Sequence, residues 1–324
     1  MTPFLVLLSL SFCSSSRLEG IKSVEDLEID RQLNILNKPY VKSIETEEGD
    51  IFDCIDIYKQ PAFDNPLLKN HSIQMKPSAF PKEVVNPTSP PARPSAQGLR
   101  EGCPFGTVPS RGQAFVQIGS GPGVQVNTIQ FGWLAYPKIF GDNKTRTFAS
   151  WTAGKNGCFN TFCSGFVQVN PTYPLGYVFN EISIYGGEQY AVEFIIFKDP
   201  KSGNWWLAYN ELDQTVGYWP NSLFTSLSSS ASEISWGGGV YSDSNEASPP
   251  MGSGHFAEEG FKKAAYLRDI HVVDESNNMV FPEENLLHYF TDNPKCYSIA
   301  ALDVKDEGIH HAFSYGGPGG SCGD

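Results

Sequence analysis

From about residue 113 onward, short runs of branched and aromatic residues alternate with turn-forming residues, a pattern that predicts strand after strand. The clearest are 176–185 (GYVFNEISIY), 188–198 (EQYAVEFIIFK) and 204–210 (NWWLAYN), separated by Gly186-Gly187 and by the turn-forming DPKSG of 199–203. Further strands are expected at 215–219, 233–241, 261–273 and near Phe313, with one short helical turn at 221–224. No helices alternate with these strands, which favours antiparallel sheets packed face to face. Earlier in the chain, Val24, Leu27, Leu33 and Leu36 fall near one face of a helix over 24–36. Ser23 and Asp26 resemble its capping box, and Pro39 stops it. Residues 51–58 (IFDCIDIY) read as a strand with Ile51, Ile55 and Ile57 on one side. Residues 76–98 are rich in proline, whose missing amide donors and fixed φ angles exclude a central strand or a helix. They form an extended linker and a boundary.

Composition narrows the function classes. The 324 residues suffice for one large all-β domain or two smaller ones, and 13% aromatics with 31 Gly and 23 Pro suit sheets and tight turns. A net charge of −13 argues against a nucleic-acid partner, which needs a clustered cationic surface. Residues 17–60 hold eleven Asp or Glu against six Lys or Arg, a solvated acidic face that aids solubility. The apolar run at residues 4–12, followed by Ser14 and Ser16, predicts a signal peptide over 1–16; it is too short to span a bilayer. No later segment has the length of a membrane helix, so secretion to the cell exterior, wall or vacuole is expected, with no membrane partner. Cleavage removes Cys13 and leaves six cysteines, enough for three disulfides in fifteen possible pairings. Cys158 and Cys163 flank a four-residue turn and can pair locally. Zinc is disfavoured because no CxxC pair or HExxH motif is present, and no other cofactor is implied. Asn70 and Asn143 open N-x-S/T sequons suited to glycosylated surface loops.

Common catalytic signatures fail on context. The GGSCG of 319–323 matches a nucleophile elbow formally, yet that motif needs a helix after the serine and only Asp324 follows. The GSGHFA of 252–257 follows SPP where a dinucleotide fingerprint requires a strand. Glu181, Glu188, Glu193, Glu211 and Glu233 sit in or beside expected strands, where alternation sends about half to solvent. Carboxyl-based hydrolysis needs one ionised and one protonated acid, and nothing in their spacing picks out such a pair.

Several long words stand out: FDCIDIYKQPAFDNPLLKNHSIQMKPS (52–78) and EGCPFGTVP (101–109), then YPKIFGDNKTRTFASWTAGKNGCFNTFCSGFVQVN (136–170), FKDPKSGNWWL, VGYWPNSLF, MGSGHFAEEGFKKAAYLRDIHVVD and SYGGPG. The first two resemble the activation propeptide, and the others the main domain, of the neprosin family of secreted plant proteins. The resemblance implies an all-β antiparallel sandwich of two curved sheets with a substrate groove over 110–324, preceded by a helix-plus-strand propeptide region over 17–109. It implies disulfides Cys158–Cys163 and Cys296–Cys322, with Cys54–Cys103 as the natural third pair. Active members are glutamic peptidases that cut after proline with two glutamates facing each other across the groove. Their counterparts here are Gln130, in TIQFGW, and Gly239, in SWGGGVYS, and neither is a carboxylate.

Gln130 keeps the hydrogen-bonding shape of Glu but cannot ionise, and Gly239 has no side chain. The expectation is a secreted protein with impaired catalysis that binds proline-rich peptides through a groove bordered by Trp133, Trp205, Trp206, Trp219 and Trp236. Core packing accounts for most of the six tryptophans, leaving a few rings to stack on proline. Two alternatives stand beside it: a working endopeptidase in which another acid, such as Glu233 or Glu211, has moved into the groove, and a non-enzymatic extracellular structural protein. The protein's own propeptide is the other expected partner. The short interval between Pro109 and Gln130 lacks strands that the family pattern has, predicting an exposed sheet edge or core face.

Overall fold

The computed structural model describes residues 38–83, 93–94, 107–108, 117–121, 126–209, 211–242, 247–302 and 311–322. The expected signal peptide, the helix at 24–36 and Cys103 lie outside the described residues. Five strands belong to the first part of the chain: β1 (Tyr40–Glu45), β2 (Ile51–Asp56), β3 (Lys82–Glu83), β4 (Arg93–Pro94) and β5 (Thr107–Val108). They are followed by β6 (Gln117–Ser120), β7 (Asn127–Leu134), β8 (Arg146–Ala153), β9 (Asn156–Phe159) and β10 (Val167–Gln168). Next come β11 (Tyr190–Ala191), β12 (Phe194–Lys198), β13 (Trp205–Tyr209), β14 (Glu211–Trp219) and β15 (Glu233–Ser235). The last are β16 (Ala265–Leu267), β17 (Val272–Val273), β18 (Asn278–Val280), β19 (Ser298–Leu302) and β20 (Ala312–Gly316). Among the described residues, helical structure is limited to single turns, and no helix is long and apolar enough to cross a membrane.

Two antiparallel sheets carry the architecture, ordered β15-β6-β7-β8-β9 and β10-β14-β13-β12. Alternation along β7 and β8 sends Ile129, Phe131, Ala149 and Trp151 inward, where they share one core with Trp205, Leu207 and Trp219 of the second sheet. Edge-on ring contacts close the interface: Phe131 meets Phe194 at 4.8 Å between centroids and Trp151 meets Phe224 at 5.9 Å. Buried Asn127 pins the two sheets, its Oδ1 accepting from the amides of Thr225 and Ser226 at 2.8 and 2.9 Å. The short interval before Gln130 does not leave β7 uncovered. Strand β6 pairs with β7 on one side and β15 on the other, so the sheet ends on two short strands, β15 and β9.

The second sheet is buried on both faces. Its outer row, Phe197, Trp206 and Tyr218 paired across β12, β13 and β14, is fully buried because residues 60–82 pack on it. Phe80 lies 6.0 Å from Phe197 and His71 lies 5.7 Å from Tyr218, centroid to centroid. Strand β2 is buried on both sides too, with Phe52 against Tyr177 and with Ile55 and Ile57 against Ile73; Ile51, expected beside them, is exposed. Of the proline-rich linker, residues 76–83 and 93–94 are described. Its β3 pairs in parallel with β18, and its β4 with β11, as edge strands that tolerate proline.

Some expectations fail for want of a partner strand. Only Val178 of 176–185 makes a bridge, to Arg146 at the start of β8, and Ile182 and Ile184 beyond it are 63% and 61% exposed. The expected strand over 233–241 stops at Ser235, and that over 261–273 breaks into β16 and β17. Disulfides join Cys158 to Cys163 and Cys296 to Cys322 as expected. Cys54 is fully buried and disulfide-bonded.

Arg146 is 3% exposed and forks between Asp50 of the β1–β2 turn, at 2.8 Å, and Asp142. Its guanidinium holds the Asp142 carboxyl at about 2. Asp199, at the β12–β13 turn, is fully buried. Burial pushes its carboxyl up, but hydrogen bonds from Ser202, Ser78 and Gln74 outweigh that and hold it at about 2. Because both folded values lie below the usual carboxylate range, their stabilisation is complete above about pH 4 and is lost as pH falls through about 2. For Asp199 the contribution is on the order of 2 kcal/mol. Urea midpoints measured from pH 6 to pH 2 should fall mainly below pH 4, and Asp199→Asn should flatten that fall; an unchanged slope in the variant contradicts the assignment.

Candidate functional site

The outer face of the five-stranded sheet is polar and partly open. Directly opposed residues on antiparallel strands share a face, so the registers build one row across all five strands: Ser235, Gln117, Gln130, Ser150 and Phe159. Gln130 is half-buried at its centre. Its Nε2 donates to Gln117 Oε1, and its Oε1 accepts from Ser150 Oγ at 2.9 Å. Every hydrogen-bonding group that the row gives Gln130 is neutral. A neighbouring row holds Glu233, Gly119, Thr128, Thr152 and Gly157, with the two threonine hydroxyls 2.8 Å apart.

Aromatic rings border the row at its β9 end. Phe159 lies 5.6 Å from Phe148 and stacks on Phe162 at 5.8 Å. The Cys158–Cys163 disulfide closes the turn that carries both Phe159 and Phe162. This fixes a hydrophobic shelf, half-open to solvent, beside Ser150. Ring faces next to amide and hydroxyl groups suit an uncharged, extended ligand that offers both apolar rings and backbone polar groups.

Gly239 lies beyond β15, in an exposed irregular segment. A Cβ built there meets nothing within 4 Å, so the position has room for a side chain. The adjacent Gly238 differs: a Cβ on it would approach the Met251 sulfur to 2.8 Å and collide with the Tyr315 ring. Of the three consecutive glycines, Gly238 is imposed by packing and Gly239 is not.

The tryptophans do not line this face. Trp205, Trp206 and Trp219 are buried in the core, as is Trp151, because alternation in β13 and β14 puts them against either the facing sheet or residues 60–82. That corrects their expected place in a groove. Trp133 shares the inward side of β7 with Ile129 and Phe131, and Trp236 packs against Ile270, Phe313 and Tyr315. The row-lining residues missed in the sequence are Gln117, Ser150, Phe159, Phe162 and Ser235. The alternation of RTFASWTA about Trp151 could have indicated Ser150, since an inward Trp151 forces its neighbour outward.

The other carboxylates are distributed without convergence. Glu233 shares the outer face with Gln130 but stands two strands away and one row along, roughly 12 Å by standard strand spacings. Glu211 lies on β14 opposite Tyr209, in the other sheet. Glu181, Glu188 and Glu193 are exposed. Among the described residues, no group of three or more His, Cys, Asp or Glu is placed to hold a metal ion. Asn70 and Asn143 are both exposed.

Comparison with known families gives two matches. A family described as Neprosin matches residues 109–318, and one described as Neprosin activation peptide matches residues 43–115. The geometry of the glycines yields a direct test. Gly238→Ala should lower the melting temperature by several degrees, from about 1–3 kcal/mol of overpacking, while Gly239→Ala should leave it within a degree. Equal effects in thermal melts contradict the packing assignment.

Proposed function

Since the chain belongs to the neprosin family, we propose that it is a secreted member that binds extended, proline-containing peptides on the Gln130 face without cleaving them. The observation that carries this reading is the neutral row through Gln130, whose amide is engaged by Gln117 and Ser150. Hydrolysis of an amide by a pair of acids requires one carboxylate to take a proton from water and one acid to protonate the leaving nitrogen. An amide side chain does neither near neutral pH. The counterpart positions of the family's two glutamates, Gln130 and Gly239, supply no ionisable group, and Glu233, two strands from Gln130 on the same face, supplies at most one of the two acids. Loss of each acid–base group typically removes about 10²- to 10⁴-fold in rate.

Binding remains within the capacity of the face. The Gln117 amide and the Ser150 hydroxyl flank Gln130 as polar groups, and the Phe159–Phe162 shelf offers a surface for a proline ring. An extended proline-rich peptide is already ordered when free and loses little entropy on docking. Secretion is supported by the disulfides and by the exposure of both sequon asparagines, which enzymes of the secretory pathway can reach.

Two experiments decide the reading. Calorimetric titration of purified protein with a proline-containing peptide should show binding that Phe159→Ala weakens about three- to tenfold. Absence of binding would favour a purely structural protein. Installing both acids, as Gln130→Glu with Gly239→Glu, should raise cleavage after proline by at least about a hundredfold over the parent. Ser150 and a rotated Gln117 amide can both donate to the new carboxylate. Robust cleavage by the parent, abolished by Gln130→Ala, would instead establish a working peptidase.

A further inference from the structure

On the premise that this face binds proline-containing peptides, we infer that its ligand also carries a cationic side chain and that Glu233 recognises the charge. The five-stranded sheet ends on β15, which β6 holds in register: Glu233 opposes Gly119, Ile234 opposes Ile118 and Ser235 opposes Gln117. The Ser232 amide donates to the Gly119 carbonyl at 3.0 Å and extends the pairing. Ile234 packs against the core shared by the two sheets, and Ile118 beside it is 5% exposed. Alternation therefore turns Glu233 and Ser235 to the outer face, the face of Gln130.

Glu233 is the sole ionisable side chain in the two rows. The row through Gln130 is neutral, and Glu233's own row continues through Gly119, Thr128, Thr152 and Gly157. Gly119 puts no side chain between Glu233 and Thr128. Other carboxylates of the molecule are neutralised internally: Asp50 and Asp142 share Arg146, and Asp64 pairs with Lys38. Glu233 is exposed, and among the described residues its carboxylate has no ion-pair partner. A lone carboxylate beside neutral amides and hydroxyls attracts a Lys or Arg side chain of a docked chain and disfavours an acidic one. A charge on an edge strand also discourages pairing with another sheet. That role alone gives no preference among peptides.

Spacing defines the peptide further. Phe159 and Glu233 stand on the two outermost strands, four strand spacings apart and one row along. At standard strand dimensions that is roughly 20 Å, which an extended chain spans in about six residues. A proline ring on the Phe159–Phe162 shelf thus places a lysine about six residues away at Glu233. Gln117, Gln130 and Ser150 lie under the stretch between them.

Calorimetric titration of the purified protein with two peptides of identical composition tests this. One carries lysines about six residues to either side of its proline, and the other carries them next to it. The spaced peptide should bind about two- to fivefold tighter, the strength of an exposed ion pair, and the preference should shrink at high salt. General attraction of lysine to a chain of net charge −13 acts on both peptides alike and cancels. Glu233→Gln should bring the two peptides to equal affinity, whereas Phe159→Ala should weaken both. Glu233→Lys should transfer the preference to a peptide with glutamates in place of the spaced lysines. Equal binding of the two lysine peptides, or a preference that survives Glu233→Gln, overturns the role of Glu233 and leaves peptide binding standing. Failure of every peptide to bind overturns both.

Discussion

The four-stranded sheet presents large apolar rings on both faces, and neither face is stable in water. Trp205 and Trp219 point one way and Trp206 and Tyr218 the other, from adjacent positions of the same strands. One face is covered by the five-stranded sheet, which makes the sandwich. The other is covered by residues 60–82, which belong to the segment matched as an activation peptide. With both faces of this sheet covered, the polar outer face of the five-stranded sheet, with its row through Gln130, stays partly open.

The chemistry of that face follows from which side chains alternation delivers to it. The row combines amides, hydroxyls and phenylalanine rings, the composition on which the proposed peptide binding rests. Family membership and the neutral row through Gln130 depend on different residues. The fold is specified by inward positions such as Ile129, Phe131 and Trp151, and the reaction by outward positions that carry no packing. Glutamine at such a position bonds within the row, donating to Gln117 and accepting from Ser150, and leaves the inward packing untouched.

Sequence legibility followed the same division. Strands with a partner on each side, such as β13 and β14, were evident from branched and aromatic runs, and the turn at 199–203 from its Pro and Gly. The stretch 176–185 reads equally well as a strand but, among the described residues, forms no ladder past the bridge at Val178, and alternation within one segment carries no information about pairing. The tryptophans misled for a related reason: a ring is as suited to a core as to a groove, and only three-dimensional cover distinguishes them. Gln130 is singled out by the family resemblance alone, while its hydrogen-bond partners Gln117 and Ser150 required the strand register. The covering role of residues 60–82 was hidden because their contacts are more than a hundred positions away in the chain.

The most direct measurement of whether this face binds without cutting is the fate of peptide bonds held on it in heavy-oxygen water. Purified protein incubated with proline-containing peptides in H₂¹⁸O, and followed by mass spectrometry of new carboxyl termini, should incorporate no label above the protein-free control at any pH from 3 to 7. Time-dependent labelling of carboxyl termini after proline, with a pH profile set by two titrating groups, would contradict the account.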